Sequence, residues 1–227
     1  VIVPILNATD SIKLLISSFL RNDIKPKEII LLDSGSNNKI TKYFKSISKK
    51  NPILIYKKIK FSHPGTARNI GVSLSDSKYL TFFDINTLPT TDWLIDSLNQ
   101  MKNQNLKILF GKRITIHNSY IKKIIKYCSY GNSPYISLTG TIIEKKFFIE
   151  KKLYFVDTRA SEDIEWIKRV KKYESKINNK IIIYNGLSGS ILFNIKKTFI
   201  YSMSYSNILQ DINNQKKICF FVIIYST

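Results

Sequence analysis

The sequence predicts an α/β protein with a mostly parallel central sheet and helices on both faces. Apolar runs typical of buried strands alternate with amphipathic segments of helical period, beginning at Val1. Polar residues, several of them acidic, follow these runs, and two strand-helix-strand units precede Phe61. Such units form right-handed crossovers between parallel strands, which favours a doubly wound sheet. A chain of 227 residues, 44% of them hydrophobic, can bury one sizeable core.

The first part of the chain divides into three strands and two helices. Strands are predicted at 1–6, 28–32 and 53–56. The first helix begins at Thr9 or Asp10, and the polar turn Asp33-Ser34-Gly35-Ser36 precedes the second. Apolar residues at helical spacing predict one inward face on each helix: Ile12, Leu15, Ile16, Phe19 and Leu20 on the first, and Ile40, Tyr43, Phe44 and Ile47 on the second.

The stretch at 61–94 carries most of the functional signal. A helix opens at Gly65 and Thr66, and its predicted inward face consists of Ala67, Ile70, Gly71 and Leu74. The aromatic-rich run at 79–83 suits a strand covered on both faces. This strand ends at Asp84, and Asn86 follows two residues later. Both side chains therefore lie at the carboxyl end of a central strand, where open α/β sheets bind ligands.

The later part of the chain gives fewer signals. A helix is predicted after Ser161, which can cap it, with Ile164, Ile167 and Val170 facing inward; a strand at 180–184 and a helix at 195–209 follow. The last apolar run, 218–225, is shorter than the roughly 20 residues of a membrane span, and neither end resembles a signal peptide. We expect the chain to be a fragment. Cys128 and Cys219 lack a paired spacing, which favours a reducing compartment and indicates no disulfide framework or zinc site.

The formal net charge of +20 raises nucleic acid or an anionic membrane as a partner. Only five of the 36 basic residues are Arg, however, and readers of nucleic-acid bases rely on Arg forks and exposed stacking aromatics. Lysine pairs such as Lys57-Lys58 and Lys122-Lys123 are therefore interpreted as solvated faces. The sequence therefore argues against a nucleic-acid partner. The same lysines are suited to peripheral contact with an anionic bilayer.

Two common nucleotide-binding fingerprints are absent from the sequence. No G-x-G-x-x-G follows the first strand and no G-x-x-x-x-G-K-[ST] occurs, which argues against dinucleotide oxidoreductases and P-loop NTPases. The motifs that are present resemble, in order and spacing along 1–169, those of the family 2 glycosyltransferases, which are inverting nucleotide-sugar enzymes of the Rossmann-like GT-A fold. They are Val1-Ile2-Val3-Pro4 with Asn7, Asp33-Ser34-Gly35-Ser36, the helix from His63 to Gly71, Asp84-Ile85-Asn86, Gly140-Thr141, and Ser161-Glu162-Asp163 with Trp166 and Arg169.

The resemblance implies a role for each matched residue. Donor binding falls to Pro4, Asn7, Asp33, Gly65, Arg68, Asn69, Asp84, Gly140 and Thr141, and the acceptor side to Glu162, Trp166 and Arg169. Asp163 is the candidate general base, with complementing the helix dipole as its alternative role. Asp33 is expected to contact the nucleobase and Arg68 the diphosphate, both from exposed positions, so that alanine there weakens binding without unfolding. Gly140-Thr141 is expected in a turn beside the donor sugar.

A divalent cation, Mn²⁺ or Mg²⁺, is the implied cofactor, with Asp84 and Asn86 as its ligands. Asn86 stands where the family has a second acidic residue, and hard cations favour charged oxygen ligands. We therefore expect weak Mn²⁺ binding, which Asn86→Asp strengthens. The alternative is that Arg68 and the helix N-terminus carry the charge of the leaving group without a metal.

The implied function is inverting transfer of a hexosyl or deoxyhexosyl group from a UDP- or dTDP-sugar to a glycan or lipid-linked acceptor. The resemblance further implies bacterial cell-envelope polysaccharide synthesis by a cytoplasmic enzyme at the inner face of the membrane. One domain is expected over 1–227, with a nucleotide-binding half at 1–110 and an acceptor-side half at 111–227. Two alternatives stay open: a catalytically degenerate nucleotide-binding relative, indicated by Asn86, and a basic nucleic-acid-binding protein, indicated by charge alone.

Overall fold

The computed structural model describes residues 1–7 and 10–212. Three parallel strands, β1 (Ile2–Ile5), β2 (Ile29–Asp33) and β3 (Leu54–Lys58), form a first sheet in the order β1-β2-β3. Helices α1 (Asp10–Leu20) and α2 (Asn38–Lys50) make the crossovers between them. All five residues of β2 are buried, as expected for a central strand covered on both faces.

A second sheet of five strands continues the first. It contains β4 (Tyr79–Thr81), β5 (Thr87–Leu88), β6 (Ile108–Thr115), β7 (Tyr135–Glu144) and β8 (Lys176–Tyr184), in the order β4-β7-β6-β8-β5. Strands β6 and β8 are parallel, and the other three pairings are antiparallel. Single bridges from Phe82 to Ile2 and to Thr139 join the two sheets. The predicted α/β fold is confirmed, with parallel pairing throughout the first sheet and mixed pairing in the second.

Six further helices surround the sheets. They are α3 (Pro64–Leu74), α4 (Trp93–Asn103), α5 (Tyr120–Ser129), α6 (Lys145–Glu150), α7 (Glu162–Val170) and α8 (Ile191–Ile212). Two buried clusters lie on opposite faces. Phe83 belongs to the cluster with Phe19 and Trp93, whereas Phe82 packs with Phe148 and Trp166. Because neighbouring strand residues point to opposite faces, this confirms the prediction that the run at 79–83 is covered on both sides.

Some predicted inward faces are wrong at individual positions. Tyr43, Leu74 and Ile164 are 37%, 38% and 44% exposed, although their helices lie where expected. On α7 the buried face carries Glu162 and Glu165 instead of Ile164. Each buried carboxylate has an arginine partner, so the charge pairing overrides the apolar period on that helix.

Two helices present apolar side chains to solvent. All ten residues of α5 are described and none is buried, and Ile124 and Tyr127 alternate there with lysines. On α8, Leu192 is 80% and Phe199 is 65% exposed. Within residues 1–7 and 10–212, no helix is long and apolar enough to cross a membrane. Thr9, Cys219 and the run at 218–225, which the sequence analysis singled out, lie outside the described residues.

Candidate functional site

Asp84 lies just beyond β4, where the two sheets meet. Its Oδ1 accepts a hydrogen bond from Arg68 Nη2 at 2.9 Å, and its Oδ2 accepts one from the Thr139 hydroxyl at 2.9 Å. Arg113 Nη1 is 3.6 Å from Oδ2. Burial raises the pKa of Asp84, but the charges of Arg68 and Arg113 outweigh it and hold the pKa below its usual range. Asp84 is therefore ionised at neutral pH, with 40% of its side chain exposed.

Arg68 on α3 connects Asp84 to the beginning of α7. Its Nη1 donates to Glu162 Oε1 at 2.7 Å, while Nη2 bonds Asp84. Arg68 is 4% exposed and Glu162 is 6% exposed. The expectation that Arg68 lies exposed at the sheet edge is therefore wrong. Carboxylates on both sides offset the cost of burying the guanidinium, which leaves its Nη groups engaged within the protein.

Asp163 follows Glu162 in the first turn of α7 and is half-buried. Its Oδ1 accepts from the Ile164 N–H at 2.9 Å. Burial, together with the neighbouring Glu162 carboxylate, raises the pKa of Asp163. A partly exposed carboxylate with a raised pKa, within electrostatic reach of Asp84, is suited to accepting a proton from a bound hydroxyl.

The predicted cap at Ser161 is wrong, although the helix begins where expected. Ser161 has a φ of 66°, in the left-handed region, and its side chain makes no capping bond within the described residues. The Ser161 hydroxyl instead donates to the Tyr201 carbonyl oxygen at 3.3 Å. Helix α8 is therefore held against the beginning of α7, beside Asp163.

Arg113 and Thr139 complete the surroundings of Asp84, and the sequence analysis missed both. The guanidinium of Arg113, on β6, lies 5.1 Å from the ring centroid of Tyr135 and 4.9 Å from that of Tyr184. Its Nε donates to the Tyr135 hydroxyl at 3.0 Å. The scarcity of arginine in this lysine-rich chain is the one signal in the sequence that could have drawn attention to Arg113.

Asp33, predicted to contact the nucleobase from an exposed position, is 0% exposed. Its Oδ1 accepts from the backbone N–H groups of Gly35 and Ser36 at 3.1 and 2.8 Å. Its Oδ2 accepts from the hydroxyls of Tyr56 and Thr41 at 2.5 and 3.5 Å. The expected exposure is wrong, because both oxygens hold the turn after β2 in place. The contact with a nucleobase stays a prediction, and it requires these oxygens to exchange partners.

We expect Asp33→Ala to lower the free energy of unfolding by about 1–3 kcal/mol, because it leaves buried donors unpaired. Burial raises the pKa of Asp33, but the bonds from Tyr56, Ser36 and Gly35 outweigh it and lower the pKa. A carboxyl with a lowered folded pKa stabilises above its unfolded pKa, about 3.9, and loses that contribution as pH falls. Urea unfolding at several pH values should therefore show that the difference in free energy of unfolding between wild type and Asp33→Ala becomes smaller below about pH 4. Exposed Asp23→Ala is the control, and an equal deficit there would contradict the assignment.

Four other predicted site residues hold the segment that leads into α7. The Asn69 side chain donates to the Phe155 carbonyl at 2.8 Å and accepts from its N–H at 2.9 Å. A Cβ at Gly65 would lie 2.5 Å from the Val156 carbonyl oxygen. Trp166 Nε1 donates to the Leu153 carbonyl at 2.6 Å, and Arg169 Nη2 to that of Tyr154 at 2.7 Å. In this structure these residues position Glu162 and Asp163, and their contacts with donor or acceptor stay predictions.

The expectation of a turn at Gly140-Thr141 is wrong, because both residues lie within β7. Gly140 has a φ of 77°, and a Cβ there would lie 2.8 Å from Ile182 Cγ1. Thr141 is 0% exposed, and its hydroxyl accepts from the Gly111 N–H at 2.9 Å. The neighbouring Thr139, rather than this pair, bonds Asp84.

Pro4 and Asn7 lie at the carboxyl end of β1, as predicted. Pro4 is paired with Leu32 of β2. Asn7 is exposed with a φ of 47°, and its Oδ1 accepts from the Asn37 N–H at 3.2 Å. Asn7 thereby links the turns that follow β1 and β2, at the sheet edge where a nucleotide is expected.

The donor set around Asp84 is poorly suited to a divalent cation. Both Asp84 oxygens already accept hydrogen bonds, and two guanidinium groups lie beside them. Asn86 offers a neutral amide, and its backbone oxygen accepts from the Asn185 N–H at 2.9 Å. In the described part of the chain, no group of three or more His, Cys, Asp and Glu side chains could hold a metal ion. Hard cations favour several anionic oxygens, and adjacent arginines repel them.

The fold is that of the GT-A glycosyltransferases. The structure of TarS residues 1–349 from S. aureus in complex with UDP superposes with a TM-score of 0.59 at 17% identity, covering 82% of this chain and 57% of that one. The corresponding TarS complex with UDP-GlcNAc gives a TM-score of 0.59 at 18% identity, covering 82% and 56%. At these identities the similarities establish the fold alone.

The family follows from the sequence match. The model of glycosyl transferase family 2 matches residues 1–140, and the chain belongs to that family. The predicted resemblance is thereby confirmed.

Curated relatives in bacteria carry the description of uncharacterized glycosyltransferases. One from Haemophilus influenzae is 30% identical over 117 residues, which are 49% of this chain and 45% of the relative. One from Rickettsia felis is 32% identical over 122 residues, 54% of this chain and 19% of the relative. One from Rickettsia bellii is 30% identical over 147 residues, 64% and 20%. The chain thus spans less than half the length of each of these three relatives.

Proposed function

We propose that the protein transfers a sugar from a nucleoside-diphosphate sugar to an acceptor hydroxyl with inversion at the anomeric carbon. One observation carries the proposal. Two partly exposed carboxylates, Asp84 and Asp163, are brought to the same sheet edge by Arg68, which bonds Asp84 and the residue preceding Asp163. A transferase of this kind needs a carboxylate free to take a proton from the acceptor, and the other carboxylate can accept hydrogen bonds from ribose hydroxyls of the donor.

The reaction is a single displacement. The acceptor oxygen attacks the anomeric carbon while the bond between that carbon and the diphosphate oxygen breaks, and the bonding electrons leave with the diphosphate. Asp163 takes the proton of the acceptor hydroxyl. The raised pKa of Asp163 is closer to neutral pH than that of an ordinary aspartate, which makes its carboxylate a stronger base. Above that pKa the carboxylate is still ionised and can accept the proton.

The donor class is supported by the family and by the neighbouring structures. Family 2 membership supports glycosyl transfer, and TarS, the fold neighbour, was crystallised with UDP and with UDP-GlcNAc. We propose a UDP- or dTDP-linked hexose or deoxyhexose as the donor for this chain. A glycan or lipid-linked acceptor in bacterial envelope synthesis is proposed with it.

Thermal unfolding with added ligands tests this function. UDP, dTDP and GDP are each added to the protein, beside a single-stranded oligonucleotide of equal charge. We expect a diphosphate to raise the melting temperature and the oligonucleotide to leave it unchanged. Stabilisation by the oligonucleotide alone would support the nucleic-acid alternative instead. If a diphosphate binds but no donor sugar is turned over with glycan or lipid-linked acceptors, the degenerate relative becomes the better description.

We further propose that α5 contacts an anionic bilayer. Tyr120, Ile121, Ile124 and Tyr127 are exposed beside Lys122, Lys123 and Lys126. Apolar and aromatic side chains that alternate with lysines on a surface helix suit the headgroup region, and each basic residue adds about 1 kcal/mol near anionic lipid.

Vesicle sedimentation checks this contact. We expect the protein to sediment with vesicles containing phosphatidylserine and not with pure phosphatidylcholine, and replacing Lys122 and Lys123 by Glu to release it. The same replacements at Lys171 and Lys172, outside α5, are the control. Equal release by both double variants would show that overall charge, and not α5, holds the protein on the vesicles, and no sedimentation would contradict the contact.

A further inference from the structure

Arg113 is the cation beside Asp84 whose terminal nitrogens remain available. Arg68 uses Nη1 and Nη2 on Glu162 and Asp84. Arg113 uses only its Nε in a hydrogen bond, to Tyr135, and among the described residues its two Nη groups form none. The nearest carboxylate oxygen, on Asp84, is 3.6 Å from Nη1.

The surroundings of Arg113 fix its guanidinium in place. The rings of Tyr135 and Tyr184 lie 5.1 and 4.9 Å from it, and the side chain is 14% exposed. Arg113 lies on β6, the central strand of the second sheet, and its Nη1 is 3.6 Å from Asp84 Oδ2. A planar cation with two free donors matches the geometry of phosphate oxygens.

A second basic side chain lies within electrostatic reach of Arg113. Lys197 of α8 is partly buried with its Nζ 5.3 Å from the ring centroid of Tyr201. Burial lowers the pKa of Lys197, and the charge of Arg113 lowers it further. An anion bound at Arg113 offsets the repulsion between the two cations.

We propose that Arg113 binds the diphosphate of the donor and carries the charge of the leaving group, in the place where a divalent cation would otherwise act. This inference rests on the proposed function and assigns the leaving-group site within it. Negative charge builds on the diphosphate as its bond to the anomeric carbon breaks. Arg113 stabilises that charge through its Nη groups, so transfer requires no added metal.

Isothermal titration calorimetry on the whole chain tests the assignment, with UDP, dTDP and UMP as probes in EDTA or in Mn²⁺. Three variants are compared: Arg113→Gln removes the charge, Arg113→Lys keeps it, and Arg21→Gln removes an exposed charge directly after α1. Circular dichroism and thermal unfolding establish that each variant is folded. Both variants at position 113 lose the hydrogen bond to Tyr135 and the planar guanidinium group. The difference in affinity between Arg113→Gln and Arg113→Lys therefore measures the effect of the charge.

The proposal makes a distinct forecast for each combination. Wild type binds UDP equally in EDTA and in Mn²⁺. Arg113→Gln weakens UDP binding by about 10- to 100-fold, since a charge-assisted hydrogen bond is lost, and weakens UMP binding less than about 3-fold. Arg113→Lys falls between wild type and Gln, and Arg21→Gln matches wild type.

Three results would overturn the assignment in different ways. If wild type binds UDP only with Mn²⁺, a metal and not Arg113 carries the diphosphate. If Arg113→Gln binds UDP as tightly as wild type does, Arg113 does not contact the outer phosphate. The same conclusion follows if the variant loses as much affinity for UMP as for UDP. If wild type binds neither UDP nor dTDP under any condition, the proposed function itself fails, and the site of Arg113 fails with it.

Discussion

Replacing Asp163 by Asn is expected to lower the rate of sugar transfer by about 10²- to 10⁴-fold, the usual effect of losing a general base. The amide has nearly the same shape and keeps an oxygen for the Ile164 N–H, which Asp163 Oδ1 bonds at 2.9 Å. Affinity for nucleoside diphosphate should therefore stay unchanged. Turnover of the donor and calorimetric titration of UDP, made on the same preparation, measure the two quantities separately.

The pH profile distinguishes a base from a structural residue at this position. Burial and the Glu162 carboxylate raise the pKa of Asp163, so the wild-type rate should fall with decreasing pH above the usual aspartate range near about 3.9. Below the raised pKa of Asp163 its carboxyl group is protonated and cannot accept a proton. In Asp163→Asn this acidic limb should vanish. Exposed Asp76→Asn is the matched control, and normal turnover in Asp163→Asn would place the base elsewhere.

Replacing Arg68 by Met should destabilise the protein by about 3–5 kcal/mol, because it removes one partner of a buried ion pair and leaves the other charged. Glu162, at 6% exposure, loses its bond at 2.7 Å, and Asp84 loses one at 2.9 Å. Urea unfolding measures the change. Lys107→Met, which breaks a partly exposed pair with Glu144, should cost far less stability.

The charge of the partner residue identifies the cause of this loss. In Arg68→Met the buried Glu162 keeps its charge without a partner, and Glu162→Gln in the same background removes that charge. The double variant should therefore recover part of the stability that Arg68→Met loses. A deficit of less than 1 kcal/mol at neutral pH would show that the two carboxylates relax into solvent.

Sequence reasoning located the site through the positions where strands end. Asp84 was predicted from the end of an apolar run and Asp163 from the resemblance to the family's motif, and the two carboxylates lie within electrostatic reach of each other near the junction of the two sheets. The partners of these residues could not be predicted in the same way. Glu162 lies 94 residues from Arg68 along the chain, and nothing local to either residue indicates the contact.

The orientation of individual side chains was also beyond the sequence. An aspartate after a strand can face a ligand or accept bonds from its own turn, and Asp33 does the latter through the N–H groups of Gly35 and Ser36. The helical period of α7 predicted that Ile164 is buried. This pattern contains no information about Arg68, which lies on another helix and neutralises the buried Glu162. Tertiary charge pairing, rather than local propensity, decided these positions.

The bond between Arg68 and Glu162 also limits how members of this family can be recombined. The family match ends at residue 140, inside β7, whereas the partner of Arg68 lies beyond that point. A chimera joined at residue 140 would divide β7 between two proteins. The buried guanidinium of Arg68 would then face a foreign segment in place of Glu162. Grafting a foreign C-terminal segment therefore requires a junction before β7 and a segment that brings its own carboxylate to the position of Glu162.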